Sequence, residues 1–104
     1  MTDSEHIDTL YQQAVDSMAQ NALSYSKDEV LGLPDDEIIT VAIAGQQVNG
    51  WIRHVKWSDG LHHVVFSLTR KTWLVMYKLY LAGIKLESDG RILLLTNEEI
   101  VDYD

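Results

Sequence analysis

The stretch that decides the fold is VNGWIRHVKWSDGLHHVVFSL, which occupies residues 48–68. It holds two runs rich in apolar and β-branched side chains, at 48–57 and 61–68, and Asp59-Gly60 lies between them. An Asp-Gly pair between two such runs is the strongest short-range signal for a β-hairpin. We therefore expect two antiparallel strands here.

The register of this hairpin is open from the sequence. A two-residue loop would pair Val55 with Val64, whereas a three-residue loop beginning at Ser58 would pair Trp57 with Leu61. A shift of one residue exchanges the two faces of a strand, so the register also decides which side chains are exposed.

A third strand is predicted upstream, in residues 37–44. Ile39, Val41 and Ile43 alternate there with smaller side chains, as a strand with one buried face requires. Residues 45–47 then turn the chain, and the three strands together form an antiparallel meander.

A long amphipathic helix is predicted at the start of the chain. Apolar residues between Ile7 and Tyr25 recur at the three-and-four spacing of one helical face. Thr2 and Glu5 have the spacing of a capping box that would begin this helix.

A second, short helix is predicted directly after it. Ser26 and Glu29 again have capping-box spacing, and Gly32 and Pro34 follow as residues that end a helix.

Residues 69–82 are predicted to form a further, largely buried helix. Apolar side chains wrap nearly all the way around a helix drawn through this segment. The positions left exposed are Arg70, Lys71, Thr72 and Lys78. Gly83 has the position of a left-handed helix stop.

The remaining residues predict a hairpin or one terminal strand. Ser88-Asp89-Gly90 separates residues 84–86 from 92–95, and the acidic tail at 97–104 is ambiguous. The predicted fold class is α+β in the order α-β-β-β-α-β(β): an amphipathic helix, a three-stranded antiparallel meander, a buried second helix, and a C-terminal hairpin or strand.

Length and composition predict one domain over residues 1–104, because 104 residues suffice for one hydrophobic core and not for two. The sequence has no cysteine, and none of its apolar runs approaches the roughly 18 residues that cross a bilayer. The polar start, residues 1–5, does not resemble a signal peptide. We expect a cytoplasmic protein without disulfides or membrane insertion.

The net charge of -8 is concentrated at the two ends of the chain. The N-terminal region at 1–36 carries eight acidic residues and one basic residue, and every charged residue of the tail at 97–104 is acidic. We interpret these carboxylates as negative surface that docks onto a basic protein partner, because opposite potentials speed encounter and set specificity. The candidate binding residues are Asp3, Glu5, Asp8, Asp16, Asp28, Glu29, Asp35, Asp36, Glu98, Glu99, Asp102 and Asp104.

The mildly basic middle of the chain supports the alternative of nucleic-acid binding. Its phosphate contacts would be Arg53, Lys56, Arg70, Lys71 and Lys78. Trp51 and Trp57 would stack on bases. Strand parity puts both Trp rings on the face opposite His54 and Lys56, and we expect the rings to fill the core instead. Repulsion between an acidic chain and phosphates also makes this alternative unfavourable.

Two segments resemble nucleic-acid-binding folds. The predicted order of helix, three strands and helix resembles the double-stranded RNA-binding domain, which implies a basic cluster at Arg70-Lys71 and a first helix facing a minor groove. The acidic first helix opposes that role. Residues 81–96 resemble the wing of a winged-helix domain, although the preceding meander does not fit that fold.

Catalytic and metal-binding patterns are weak. His62 and His63 are neighbours on a strand and point to opposite faces, so together with His54 they offer two ligands where zinc takes three or four. The sequence has no phosphate loop, dinucleotide fingerprint or HExxH helix. We expect no enzymatic activity, no metal and no cofactor.

These observations favour a noncatalytic protein-binding module of the inhibitor or immunity type. Its partner would be a basic protein that binds nucleic acid, and the module would occupy the basic surface as phage inhibitors of host defence enzymes do. The competing interpretation is an acidic chaperone for a secreted or assembled client. Surplus apolar residues on the strands also favour a homodimer through a sheet face or edge.

Overall fold

The computed structural model describes residues 2–73 and 76–104, and the side chains of these residues other than 2–5, Asp59 and Trp73. The predicted capping box of Thr2 with Glu5 therefore lies outside the described side chains. In chain order the elements are α1 (Thr2–Ala22), α2 (Lys27–Leu31), β1 (Asp36–Ile43), β2 (Gln46–Lys56), β3 (His62–Trp73), β4 (Met76–Leu86), β5 (Ile92–Leu94) and α3 (Asn97–Val101). The α+β class is confirmed.

The five strands form one antiparallel sheet in the order β1-β2-β3-β4-β5. Ala44 and Gly45 join β1 to β2 with φ angles of 52° and 79°, in the left-handed region that a tight hairpin turn needs. β2 and β3 are joined by the three residues of a 3-10 turn, and the Trp57 N–H donates to the Leu61 carbonyl at 2.8 Å. Of the two registers open from the sequence, the three-residue loop is the observed one.

α1 packs across one face of the sheet, which we call the helix-side face. Val15 and Ala19 of α1 share one core cluster with Val64, Leu68 and Ile84 of β3 and β4, and all five are buried. This packing explains the amphipathic pattern of α1. No helix in the described part of the chain is long and apolar enough to span a membrane.

The predicted helix at 69–82 is wrong, because these residues belong to β3 and β4 where the structure describes them. Along β4, the even-numbered Tyr80 and Ile84 are buried beneath α1, while the odd-numbered Tyr77 and Leu79 point to the other face and are partly exposed. Both faces of the strand carry apolar side chains. Periodicity alone cannot distinguish such a strand from a buried helix.

Gly83 is a strand residue and does not end a helix. A Cβ at this position would lie against the carbonyl oxygen of Val64 and the side chain of Leu95. Because these atoms approach the backbone so closely, the position requires glycine. Without the predicted helix, the resemblances to the double-stranded RNA-binding domain and to the winged-helix domain lose their basis.

Both short helices begin with capping boxes. Ser26 and Glu29 cap α2 as predicted, and Thr96 and Glu99 cap α3 in the same way. Of the two C-terminal alternatives, a hairpin or one strand, the hairpin is the observed one, since β4 and β5 pair on either side of residues 88–90. The ambiguous tail therefore contains a helix, and it lies beside β4.

Candidate functional site

The two faces of the sheet are covered unequally. The face turned away from α1, which we call the open face, carries one row of residues that run directly opposite each other across four strands: Ile38, Trp51, Ser67 and Leu81. Ile38 is 68% exposed and Trp51 is 37% exposed. Strand pairing therefore assembles this row from four separate segments of sequence, and two of its members are exposed apolar side chains.

The two tryptophans of β2 and its connecting loop lie on the open face. Trp51 and Trp57 are 37% and 47% exposed, so the expectation that their rings fill the core is wrong. The predicted strand parity is confirmed, because His54 is buried on the opposite, helix-side face. The core already contains aliphatic side chains from β3, β4 and α1, which leaves these rings outside.

A groove of about 280 Å³ crosses the open face. Its apolar lining is Trp51, Val65, Leu79 and Leu81. Its polar lining is Asp36, Arg53, Ser67 and Tyr103. An apolar concavity with a few polar groups is typical of a binding site, and clustered exposed apolar side chains mark interaction surfaces.

Asp36 and Arg53 supply the charges of the groove. They are cross-strand partners on β1 and β2, and both are exposed. Within the described part of the chain, no ion pair engages Arg53. Its planar guanidinium can therefore bind a carbonyl or carboxylate of a ligand, and Asp36 can bind a cation.

Tyr103 in the C-terminal segment, residues 97–104, forms one wall of the groove. The Trp57 indole Nε1–H donates to the Tyr103 hydroxyl at 3.1 Å, and this hydroxyl lies 2.7 Å from His63 Nδ1. An indole nitrogen can only donate, so the hydroxyl accepts from Trp57, and its own O–H remains available to donate to His63 Nδ1. This arrangement fits a neutral His63 that carries its proton on Nε2.

The surroundings of His63 also favour its neutral form. Burial lowers the pKa of His63, and Lys85 lowers it further, against the opposing charges of Glu99 and Asp102. Its buried Nε2 has no hydrogen-bond partner among the described residues and lies 4.0 Å from the Glu99 carboxylate. Burial also raises the pKa of Tyr103, which keeps the hydroxyl protonated.

A second contact ties α3 to the sheet. Lys85 Nζ donates to the two carboxylate oxygens of Glu99 at 3.0 and 3.2 Å, and the Thr96 N–H donates to the same carboxylate. Burial alone would raise the pKa of Glu99, but the hydrogen bonds from Thr96 and Lys85 lower it overall. The Glu99 carboxylate is therefore already engaged within the chain.

One of the predicted binding carboxylates lines the groove, and three others are chain neighbours of groove residues. Asp36 lines it and Asp35 directly precedes Asp36, while Asp102 and Asp104 flank Tyr103. All four are exposed, and we call them the groove acids.

The other predicted acids are placed elsewhere. Asp28 and Glu29 lie in the first turn of α2, Glu98 lies in the first turn of α3, and Asp16 accepts a hydrogen bond from Gln12 on α1. The side chains of Asp3 and Glu5 lie outside the described ones. Charge alone therefore predicted more acids than the groove brings together.

Asp8 forms an ion cluster with the helix-side face of the sheet. Lys78 Nζ and Arg70 Nη2 each lie 2.7 Å from its carboxylate, and the Tyr80 hydroxyl donates to it. Hydrogen bonds from Lys78, Tyr80 and Arg70 hold the pKa of Asp8 well below its usual range.

The cations proposed to bind nucleic acid are dispersed. Arg70 and Lys78 are both engaged by Asp8. Strand parity places Arg53 and Lys71 on the open face and Lys56 on the helix-side face. The five positive charges therefore do not share one face of the sheet.

The three histidines of the strands lie on two faces of the sheet. His54 Nε2 and His62 Nδ1 are 2.9 Å apart on the helix-side face, and His54 Nδ1 lies 3.0 Å from the Leu33 carbonyl. His63 points to the open face, so the predicted opposition of His62 and His63 is confirmed. Among the described residues, no group of three metal-binding side chains comes together.

Several groove residues were not found from the sequence. Leu79 and Leu81 follow from the odd-numbered parity of β4, but only once residues 76–86 are recognised as a strand. Tyr103 has no local signal, because its contacts with Trp57 and His63 join residues far apart in the chain.

Neither protein-family models, curated proteins nor solved structures gave a match to this chain. The geometry of the open face is therefore the basis for assigning a function.

Proposed function

We propose that this protein is a noncatalytic protein-binding module that docks a basic, amphipathic segment of another protein onto its open face. The observation that carries the proposal is the apolar groove in which Trp51 and Leu79 keep more than a third of their surface exposed. Tryptophan in a concave apolar patch is the residue type that most often dominates binding energy at protein interfaces.

The charges around the groove indicate the chemistry of the partner. The chain carries a net charge of -8, and Asp36 lies in the groove beside the apolar lining, with the other groove acids next to lining residues in the chain. A segment with lysines or arginines next to apolar side chains would place cations on these acids while its apolar groups cover Trp51 and Leu79. Opposite potentials would speed the encounter, and Arg53 would orient the segment by binding a carbonyl or carboxylate.

An inhibitor or immunity-type role is part of the same proposal. Proteins that bind nucleic acids present basic surfaces, and an acidic module bound to such a surface would exclude phosphates from it. The groove then anchors the module, while the acids occupy positions that phosphate groups would otherwise take.

A pair of leucine variants tests the groove. Leu79→Lys puts a charge into the groove, and Leu31→Lys is its matched control, since Leu31 is 40% exposed on α2 and Leu79 is 37% exposed. Tagged proteins would capture partners from a nuclease-treated lysate of the host, with identification by mass spectrometry. We expect wild type and Leu31→Lys to retain the same basic protein and Leu79→Lys to lose it. Equal capture by both variants would contradict docking in the groove.

A pair of aspartate variants tests the charge. With the captured partner purified, Asp36→Lys should slow association roughly tenfold at low salt, because steering depends on the local potential. Asp28→Lys makes the same change of charge on α2 and should slow it much less. Equal association rates for the two variants would show that Asp36 has no specific role in docking. Capture of a non-basic client that persists at high salt would favour the chaperone interpretation over the inhibitor.

A further inference from the structure

The outer edge of β1 has no strand beside it in the described part of the chain. The Asp35 carbonyl accepts the N–H of His54 on β2, and bonding residues alternate along an antiparallel pair. The odd-numbered residues of β1 therefore bond to β2, while Ile38, Thr40 and Ala42 direct their N–H and C=O groups outward. No hydrogen bond between described residues outside the β1–β2 ladder uses these outward groups.

After Asp36 and Glu37, β1 lacks the features that usually block an edge strand. It is eight residues long and pairs with β2 without a bulge, and its sequence DEIITVAI has neither lysine nor proline. The opposite edge strand, β5, has only three residues. A long apolar edge with Ile38 largely exposed is a template for pairing with another strand.

The charges of β1 allow an identical strand to pair with it in antiparallel orientation and disfavour the parallel one. Asp36 and Glu37 lie at its start, and residues 38–43 carry no charge. Parallel pairing of two identical strands would bring the acids together, whereas antiparallel pairing places them opposite uncharged residues. With Thr40 on the symmetry axis, Ile38 would face Ala42 of the second copy.

An apolar cleft beside this edge is a second observation. It has a volume of about 470 Å³ between α1 and the first two strands, and its lining includes Met18, Tyr25, Ile39, Val41 and Ile52. Ile39 and Val41 point to the helix-side face and remain partly exposed. A strand added at the edge of β1 would lie about 4.8 Å away and extend the apolar floor of this cleft.

We infer that β1 is the interface between two copies of this chain, which pair antiparallel across a two-fold axis to form a ten-stranded sheet. The axis is perpendicular to the sheet, so both α1 helices lie on the same side. The second copy's Ile39 and Val41 then join the two clefts into one apolar surface. Of the residues that line the groove, Asp36 alone belongs to β1, and the interface does not depend on the proposed function.

The mass of the full-length protein in solution tests the inference. Light scattering after size exclusion, over a range of concentrations, should give two copies of the 11.9 kDa chain for wild type. Thr40→Pro removes an N–H that β2 does not use and should give monomers, while its near-isosteric control Thr40→Val keeps that N–H and should remain dimeric. A monomeric wild type, or a Thr40→Pro variant as dimeric as Thr40→Val, would overturn the interface.

Amide hydrogen exchange on wild type provides a second test if Thr40→Pro does not fold. The amides of Ile38, Thr40 and Ala42 should become several-fold more protected as protein concentration rises, while those of Ile39 and Val41 should be protected throughout. Unchanged exchange at the three outward amides would overturn the inference.

Added salt distinguishes this dimer from docking to a basic partner. It should strengthen the dimer, because it screens the repulsion between two negatively charged chains, and it should weaken docking, because it screens an attraction.

Discussion

The two faces of the sheet use the same strands but differ in what covers them. On the helix-side face, Leu68 and Ile84 are fully buried beneath α1. On the open face, Trp51 and Leu79 keep more than a third of their surface exposed, although they are equally apolar. Apolar content therefore does not locate the core of this protein. It accounts for a buried core on one face and for an exposed apolar surface on the other.

The largest predicted effect is a loss of stability, and it is tested by truncating one leucine on each face. Leu68→Ala should lower the free energy of unfolding by about 2–5 kcal/mol, because it leaves a cavity in a packed core. Leu79→Ala should lower it by less than about 1 kcal/mol, because the side chain already contacts water. Urea unfolding measures both. Similar losses for the two variants would mean that the open face is covered in solution.

The same contrast explains why one hairpin was predicted and the next was not. In residues 48–68, Asp59-Gly60 marks a turn between two apolar runs, and the structure has strands there. In residues 69–82, the polar Arg70 and Lys78 fall on the helix-side face, where Asp8 pairs with both, and the open face of β4 carries apolar side chains such as Leu79. Both faces of β4 thus carry apolar side chains, and the segment resembles a helix that is apolar on nearly all sides.

The groove was predicted less fully than the fold. The charge pattern identified Asp36 and Asp102, but a count of acids cannot tell which of them a meander brings together. Tyr103 depends on the return of the C-terminal segment to His63, a contact across 40 residues. Such a contact follows from tertiary packing, and no local propensity indicates it.

Tyr103→Phe should have an intermediate effect, confined to the C-terminal segment. The change removes the hydroxyl that bonds Trp57 and His63, and leaving the buried His63 nitrogen unpaired should cost about 1 kcal/mol. Hydrogen exchange in residues 97–103 should become faster while exchange in α1 stays the same. Equal acceleration in α1 would show that the segment does not open separately from the core.

Acidification should release the same segment in the wild type. Burial lowers the pKa of His63 below its ordinary value of 6.5, so the open state binds more protons than the closed state below that pH. The contact is therefore fully stabilising above pH 6.5 and weakens as the pH falls through the lowered value. Hydrogen exchange in residues 97–103 measured across this range should show the release. The pKa of His62 is also lowered, mainly by burial, so a His62→Gln variant is the control and should retain the pH dependence.

The smallest predicted effect concerns Asp8, where the helix-side face is polar. Water screens this cluster, because the side chains of Asp8 and Lys78 are 29% and 49% exposed. The lowered pKa of Asp8 means that its carboxylate stabilises the fold above the ordinary value of 3.8, and that this contribution is lost as the pH falls through the lower folded value. Asp8→Asn should therefore be less stable than wild type at neutral pH, and the difference should shrink in acid and in high salt. A double-mutant cycle with Arg70→Gln, measured by urea unfolding, would isolate one ion pair. If the stability difference between wild type and Asp8→Asn depended on neither pH nor salt, Asp8 would act through packing. The helix-side face would then be stabilised by packing alone, without a contribution from these ion pairs.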